Sequence, residues 1–345
     1  MKKCVFFVSL IALLLSSLSA FAAYVTIGDL RYCLDQVAYT AMVSWDHSDQ
    51  GNNYIGLREI VIPATVQYEG TTYKVTAIQD RAFYGCPDLE TIEIGKNIER
   101  IGSTSSCYVF RNSPKLNKIK WKAKNCKGWG HYYSPFGGTG SNGWIDGGAK
   151  QITTIEFTDD VETIPDYLSL KMTSLDTIRL GKNIISIGRS NLEYFKNVYI
   201  YDLEAFCRIT NYPSDKFYIG FKLFLNNQEI NNLIIPESVK NIHDFTFQGC
   251  SSIKSLQLTR NITNIGKNAF KYCTNLSTVT FAAASCEDLE NTIFDNNSIK
   301  NITFSENVKH IPSYICNNQP IQSITIPLNV ETIGANAFSG CSQIS

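Results

Sequence analysis

The stretch Ile321–Cys341, IQSITIPLNVETIGANAFSGC, sets the reading of the whole chain. Numbered from Ile321, its apolar residues fall at positions 1, 4, 6, 10, 13, 17, 18 and 21. These are Ile321, Ile324, Ile326, Val330, Ile333, Ala337, Phe338 and Cys341. Apolar residues two apart, at positions 4 and 6, predict a strand with one buried face. Pro327 follows and ends the strand, because proline donates no ladder hydrogen bond. Gly334 marks a sharp turn where a side chain would clash.

Two upstream copies keep the same phase. One runs through Ile230, Leu233, Ile235, Pro236, Val239, Ile242, Phe247 and Cys250. The next runs through Ile253, Leu256, Leu258, Ile262, Ile265, Gly266, Ala269, Phe270 and Cys273. First positions then recur at Leu276, Ile299, Ile321 and Ile344, a period of 23 with one unit of 22. A fixed period of this size predicts a solenoid whose units bury their apolar faces against each other.

The string L-x-x-I-x-I-P-x-x-V-x-x-I-G-x-x-A-F-x-x-C resembles the BspA-type leucine-rich repeat. The resemblance covers about Leu57 to the end. It implies an exported or surface protein of the kind found in anaerobic host-associated bacteria and some mucosal protists. Adhesion and protein binding are the roles it implies, without catalytic residues. The fold class is then a β-rich solenoid, a right-handed leucine-rich-repeat array of 23-residue units behind an N-terminal β cap. Eleven such units stacked at about 4.8 Å would span roughly 50 Å.

The N-terminus reads as a secretory signal peptide over 1–22. Lys2 and Lys3 precede an apolar run from Val5 to Leu15, and Ala20-Phe21-Ala22 supplies the cleavage signal. That run is too short to span a bilayer, and no later stretch looks transmembrane. The expected location is therefore export: secreted, periplasmic or cell surface. The 31 basic residues less Lys2 and Lys3, against 31 acidic ones, leave a net charge near −2. That is no footprint for nucleic acid. The expected partner is a host extracellular protein or glycan, with no cofactor.

Of the eleven cysteines, ten lie beyond Cys4. Export favours disulfides. Their positions favour free thiols, since Cys86, Cys250, Cys273 and Cys341 share apolar position 21, which Phe195 takes in another unit. No C-x-x-C pair is present, so a zinc site is not expected.

Residues 23–56 are not repeat. Tyr24 to Asp35 and Val37 to Asp46 read as two strands of the cap, with Tyr32, Leu34, Met42 and Trp45 as its packing face. The array, 57–345, departs from phase near 67–75, 103–107, 122–150 and 204–227. In the first, YEGTTY (Tyr68 to Tyr73) reads as a tight hairpin. The third carries eight glycines, with Trp129, His131, Tyr132, Tyr133, Phe136 and Trp144. Aromatics on a long loop either bind a ligand or fold down over the core. Gly138-x-Gly140-x-x-Gly143 lacks the strand and helix that a dinucleotide site needs. In the fourth, Asp202 to Ile209 and Leu223 to Asn227 resemble a variant unit recurrent in the family. Leu276 to Ser298 loses the late motif, with Phe294 one place out of phase. Ile344-Ser345 begins a twelfth unit without a polar cap, so either a longer protein or another subunit is expected to cover the last coil.

No metalloprotease, hydrolase, phosphate-loop or calcium-loop motif occurs. His47, His131, His243 and His310 are scattered, the last two at positions expected to face solvent. The clearest surface pattern is position 5, which points out of the core. It reads Glu93, Lys120, Glu156, Arg179 and Asp202 on successive units. Alternating signs on adjacent strands predict a mutually neutralising ladder or a site for a charged partner. The ladder predicts that reversing Lys120 costs more than reversing Glu93. Candidate ligand-binding residues are therefore Trp129, His131, Tyr132, Tyr133, Phe136 and Trp144 on the loop, and Glu93, Lys120, Glu156 and Arg179 on the sheet. The alternatives are a structural or assembly module within a larger envelope protein and, behind it, an enzyme.

Overall fold

The computed structural model describes residues 23–45, 54–102, 108–126, 136, 151–169, 172–189, 195–210, 220–294 and 298–344. The cap has three strands rather than two: β1 (Ala23–Ile27), β2 (Leu30–Asp35) and β3 (Thr40–Ser44). Gly28, at φ 59°, turns the first expected strand into a hairpin. Tyr32 and Leu34 are buried as expected. Met42 is not, and Ala41 and Val43 face the core instead. Side chains alternate along a strand, so an expectation displaced by one residue selects the wrong face.

The first coil opens with β4 (Glu59–Val61). YEGTTY is indeed a hairpin, with β5 (Thr65–Tyr68) antiparallel to β6 (Thr71–Ile78). Glu69 and Gly70 both take positive φ, as its two-residue turn requires. β3 pairs in parallel with β6, so cap and first coil share one sheet.

The solenoid then alternates a longer strand with a short one. In order come β7 (Thr91–Ile94), β8 (Arg100–Ile101), β9 (Lys118–Trp121), β10 (Thr154–Phe157), β11 (Thr163–Ile164), β12 (Thr177–Leu180), β13 (Ser186–Ile187) and β14 (Asn197–Ile200). Next are a five-residue helix α1 (Leu203–Cys207), β15 (Lys222–Leu225) and β16 (Gln228–Glu229). The last are β17 (Asn232–Ile234), β18 (Asn241–Ile242), β19 (Ser255–Leu258), β20 (Asn264–Ile265), β21 (Thr278–Phe281), β22 (Asn301–Phe304), β23 (His310–Ile311) and β24 (Thr332–Ile333). β4, β7, β9, β10, β12, β14 and β15 form one parallel run, closed by antiparallel β16. β17, β19, β21 and β22 form a second. Ile321 to Ile326 carries the strand pattern yet forms no strand, and its Ile326 is 37% exposed. Among the described residues it has a coil on one side only.

Parallel register brings equal repeat positions together, so each slot stacks on itself. At position 18 this builds a phenylalanine column. Phe83 stacks on Phe110 at 5.4 Å, and Phe110 on Phe136 at 4.8 Å. Further along, Phe247 stacks on Phe270 at 5.2 Å, and Phe294 lies 6.0 Å beyond. Such pairs add about 0.5–1.5 kcal/mol each beyond burial. Phe294 is out of phase in sequence yet fills the slot in space, because the preceding turn absorbs one residue.

Hydrogen bonds tie the same slots. Asn97, Asn183, Asn261, Asn307 and Asn329 recur at position 9. Each donates its amide to a carbonyl of the preceding coil, Asn261 to Glu237 at 2.8 Å and Asn329 to Glu306 at 2.8 Å. Position 16 is left-handed, with φ near 60° at Tyr167, Phe245 and Tyr314. That conformation aims each backbone N–H at a carbonyl of the next coil, as Tyr167 to Arg189 at 2.8 Å. The position-14 glycine answers to crowding between coils: a Cβ on Gly266 would lie 2.4 Å from the Asp244 backbone nitrogen.

None of the nine described cysteines is in a disulfide. Cys86, Cys250 and Cys273 are buried, while Cys341 is only partly so. Cys273 donates to the Phe247 carbonyl at 3.1 Å. Burial pushes Cys86, Cys207 and Cys286 up to about 12 and Cys250 to about 11. The thiolate is the reactive form, so these thiols are protected while the coils stay closed. A thiol reagent without reductant should label Cys250 and Cys273 in denaturant and leave them untouched in the native protein. Labelling that appears only after reduction would show disulfides instead.

Candidate binding face

Position 5 of the long sheet is in register from one end to the other. Val61 faces Glu93, then Lys120, Glu156, Arg179, Tyr199 and Phe224. The four expected sheet residues, Glu93, Lys120, Glu156 and Arg179, therefore do lie side by side. Asp202 does not join them. The register pairs Ile178 with Val198 and Leu180 with Ile200. Phe195, buried and 5.5 Å from Phe221, thus takes position 1 of the sixth unit, not position 21 of the fifth. Asp202 instead caps α1, accepting from the Ala205 N–H at 3.0 Å.

Neutralisation runs diagonally, not straight along the row. Glu93 pairs with Lys122 at 2.6 Å, and Glu156 with Lys118 at 2.9 Å. Among the described residues Lys120 and Arg179 have no carboxylate within ion-pair distance. Lysine side chains are long enough to reach a neighbouring strand two residues out of register, and nothing in the ladder holds them straight. Arg179 takes a different support. Its guanidinium lies 4.1 Å over the Tyr199 ring and donates to Asn227 Oδ1 at 3.0 Å. Tyr199 in turn stacks on Phe224 at 4.5 Å with planes 12° apart. Asn227 comes from the β15–β16 turn, where Asn226 and Asn227 have φ 50° and 67°. Sequence reading missed this stack because the sixth unit was placed three residues late.

Of the six loop candidates, Phe136 is fully buried, packed on Phe110 and 6.3 Å from Trp121. It is a core residue, and the expectation of a ligand role for it fails. The phenylalanine column extends into the long departure at Phe136, which the glycine-rich context concealed. Trp129, His131, Tyr132, Tyr133 and Trp144 lie outside the described residues, as do His47 and Cys107.

His310 is not simply solvent-facing. Its Nε2 lies 3.0 Å from Asp288 Oδ1, and its Nδ1 2.7 Å from Thr332 Oγ1. Asp288 Oδ1 also accepts from the Ser313 N–H at 2.7 Å and hydroxyl at 2.8 Å. Three successive coils are thereby joined. These Ser313 bonds, with His310 beside them, hold the Asp288 carboxyl below the usual range. Among the described residues no group of three or more His, Cys, Asp or Glu could hold a metal ion. No described helix is long and apolar enough to cross a membrane.

The BspA type leucine rich repeat region matches the chain in 6 copies, over residues 53–133, 148–219 and 216–345. No curated protein matches. Solved structures similar to the chain include a leucine rich cell surface protein from Faecalibacterium prausnitzii, at 16% identity and TM-score 0.33, covering 94% of this chain and 87% of that one. A leucine-rich repeat protein from Bacteroides ovatus shows 19% identity and TM-score 0.35, covering 92% of each chain. The pneumococcal vaccine antigen PcpA shows 13% identity and TM-score 0.32, covering 92% and 94%. Likeness at this level adds nothing to the fold that the repeats themselves establish.

Two stability measurements test these contacts. Glu93→Gln should lower unfolding stability by about 0.2–1 kcal/mol in low salt, while Lys120→Gln should leave it unchanged; equal losses would restore the straight ladder. Asp288 has a depressed folded pKa, so its stabilisation is complete above the unfolded carboxylate value and disappears as pH falls through the folded one. Asp288→Asn should therefore lower Tm at pH 7, and the gap to the parent protein should narrow as pH falls below about 4 and close once it passes the folded value. A gap that persists in acid would show that the carboxylate charge is not what matters.

Proposed function

The chain belongs to the BspA type leucine-rich repeat family, and from that premise we propose an exported, non-catalytic binding protein. Its ligand is a host extracellular protein or glycan, held on the outer face of the long parallel sheet. The observation that carries this is the Lys120–Arg179 stretch of the face. Among the described residues two cations stand there without carboxylate partners, and one is held in place by an aromatic stack. A surface shaped only for packing would gain from neutralising both. Glu93 and Glu156 belong to the same patch and set its spacing. Trp129, His131, Tyr132, Tyr133 and Trp144 would extend the contact if their loop lies beside the face. An apolar signal-like segment at 1–22 supports export.

The experiment is a pull-down from host matrix and mucin with the mature chain immobilised. Thr154→Glu with Thr177→Glu places bulk and negative charge on the face without touching the core, since both side chains sit at outward positions. Capture of a partner by the parent chain, and its loss in this variant, supports the proposal. Equal capture by both moves the site off the sheet. No capture at all favours an assembly module of a larger envelope protein.

A further inference from the structure

Resting on that reading, we propose that the centre of the sheet face binds an anionic polysaccharide through its sulfate or carboxylate groups. Lysines occupy every second position at 118, 120, 122 and 124, through and just past β9. Strand alternation turns Lys118 and Lys120 to the same side as Arg179. Glu156 and Glu93 neutralise Lys118 and Lys122. Lys120, exposed Lys124 and Arg179 are left without a carboxylate among the described residues. A local cationic strip thus sits on a chain whose overall charge is close to neutral.

Arg179 is the most prepared of the three. Tyr199 covers one side of its plane, and Asn227 fixes Nη1. The remaining guanidinium donors form a fork suited to a planar carboxylate or a sulfate. Holding it in advance lowers the conformational entropy lost on binding. Lys120 lies two strands away in register, about 9.6 Å at the usual strand spacing, which lets two anionic groups of one chain be held together.

The neighbours favour a sugar over a protein. Between β7 and β12 the outward residues are Thr91, Glu93, Lys118, Lys120, Thr154, Glu156, Thr177 and Arg179. No apolar anchor is among them, whereas protein interfaces centre on buried aromatic or aliphatic side chains. β9, β10 and β12 are each paired on both edges, so an acidic peptide cannot add there as a strand. Threonine hydroxyls flanking fixed cations match a polymer that carries hydroxyls as well as charge.

Binding of the full mature chain to heparin, hyaluronan, neutral dextran and poly-glutamate would test this by calorimetry or biosensor. Hyaluronan carries carboxylate alone and heparin carries sulfate as well, so the comparison separates the two groups. At least one of these two should bind, weaken with added salt, and lose about tenfold or more on Arg179→Gln, with a smaller loss on Lys120→Gln. Lys300→Gln, an equal charge change on an exposed lysine elsewhere, should bind as the parent does. Unfolding curves would confirm that all variants remain folded. Binding to neither anionic polysaccharide, equal binding by Arg179→Gln, or equal binding of dextran would overturn the proposal. Preference for poly-glutamate would replace the polysaccharide with an acidic protein. If matrix or mucin capture still depends on Thr154 and Thr177 in any of these cases, the sheet-face reading survives and only the anionic ligand is lost.

Discussion

The distance between neighbouring strands of a sheet, about 4.8 Å, is the constraint on which the rest depends. Backbone hydrogen bonding fixes it, so each residue of a coil meets its own counterpart one step along. A slot must therefore tolerate itself. Phenylalanine does so by stacking, as Phe247 on Phe270. Asparagine at position 9 does so by reaching back to a carbonyl, as Asn261 to Glu237. Glycine at position 14 is there because the preceding coil leaves no room for a Cβ. A buried thiol at position 21 is small enough to repeat without bonding to its neighbour, as Cys250 and Cys273 show.

Charge meets the same constraint differently. Residues at position 5 on successive strands would repel if alike, and the alternation Glu93, Lys120, Glu156, Arg179 avoids that. Long flexible side chains are not bound to straight partners, however. Lys118 and Lys122 reach diagonally and take both carboxylates. Among the described residues the result leaves unmatched cations, and the sixth unit adds to it. Its shift in register puts Tyr199 and Phe224, not Asp202, beyond Arg179. The proposed binding feature thus lies where the repeat shifts its register, next to an extra hairpin.

Much was legible in the sequence because periodicity records burial. The β10, β12, β19, β21 and β22 strands fall at the expected positions, and so do the buried residues at positions 4 and 6, such as Ile155, Phe157, Leu256 and Leu258. The hairpin at Glu69-Gly70 was legible because its turn demands particular residue types. The asparagines recur at position 9, but their role depends on a carbonyl 23 or more residues away and went unread. Where spacing varied, reading failed. Phe136 in its glycine-rich surroundings and Phe195 ahead of the sixth strand each looked like something else.

By itself, then, the sequence determined that this chain coils, how many residues a coil takes, and which side chains of the regular coils enter the core. Those follow from the match between apolar spacing and backbone geometry, which is local. The tertiary structure alone decided which irregular residues fill shared slots, which lysine meets which carboxylate, and that Arg179 lies on an aromatic stack. Such contacts join residues distant in sequence, and their register is set by how each insertion is accommodated between coils. Hydrophobic periodicity carries no term for that, since a loop can absorb a residue, or three, without changing what is buried.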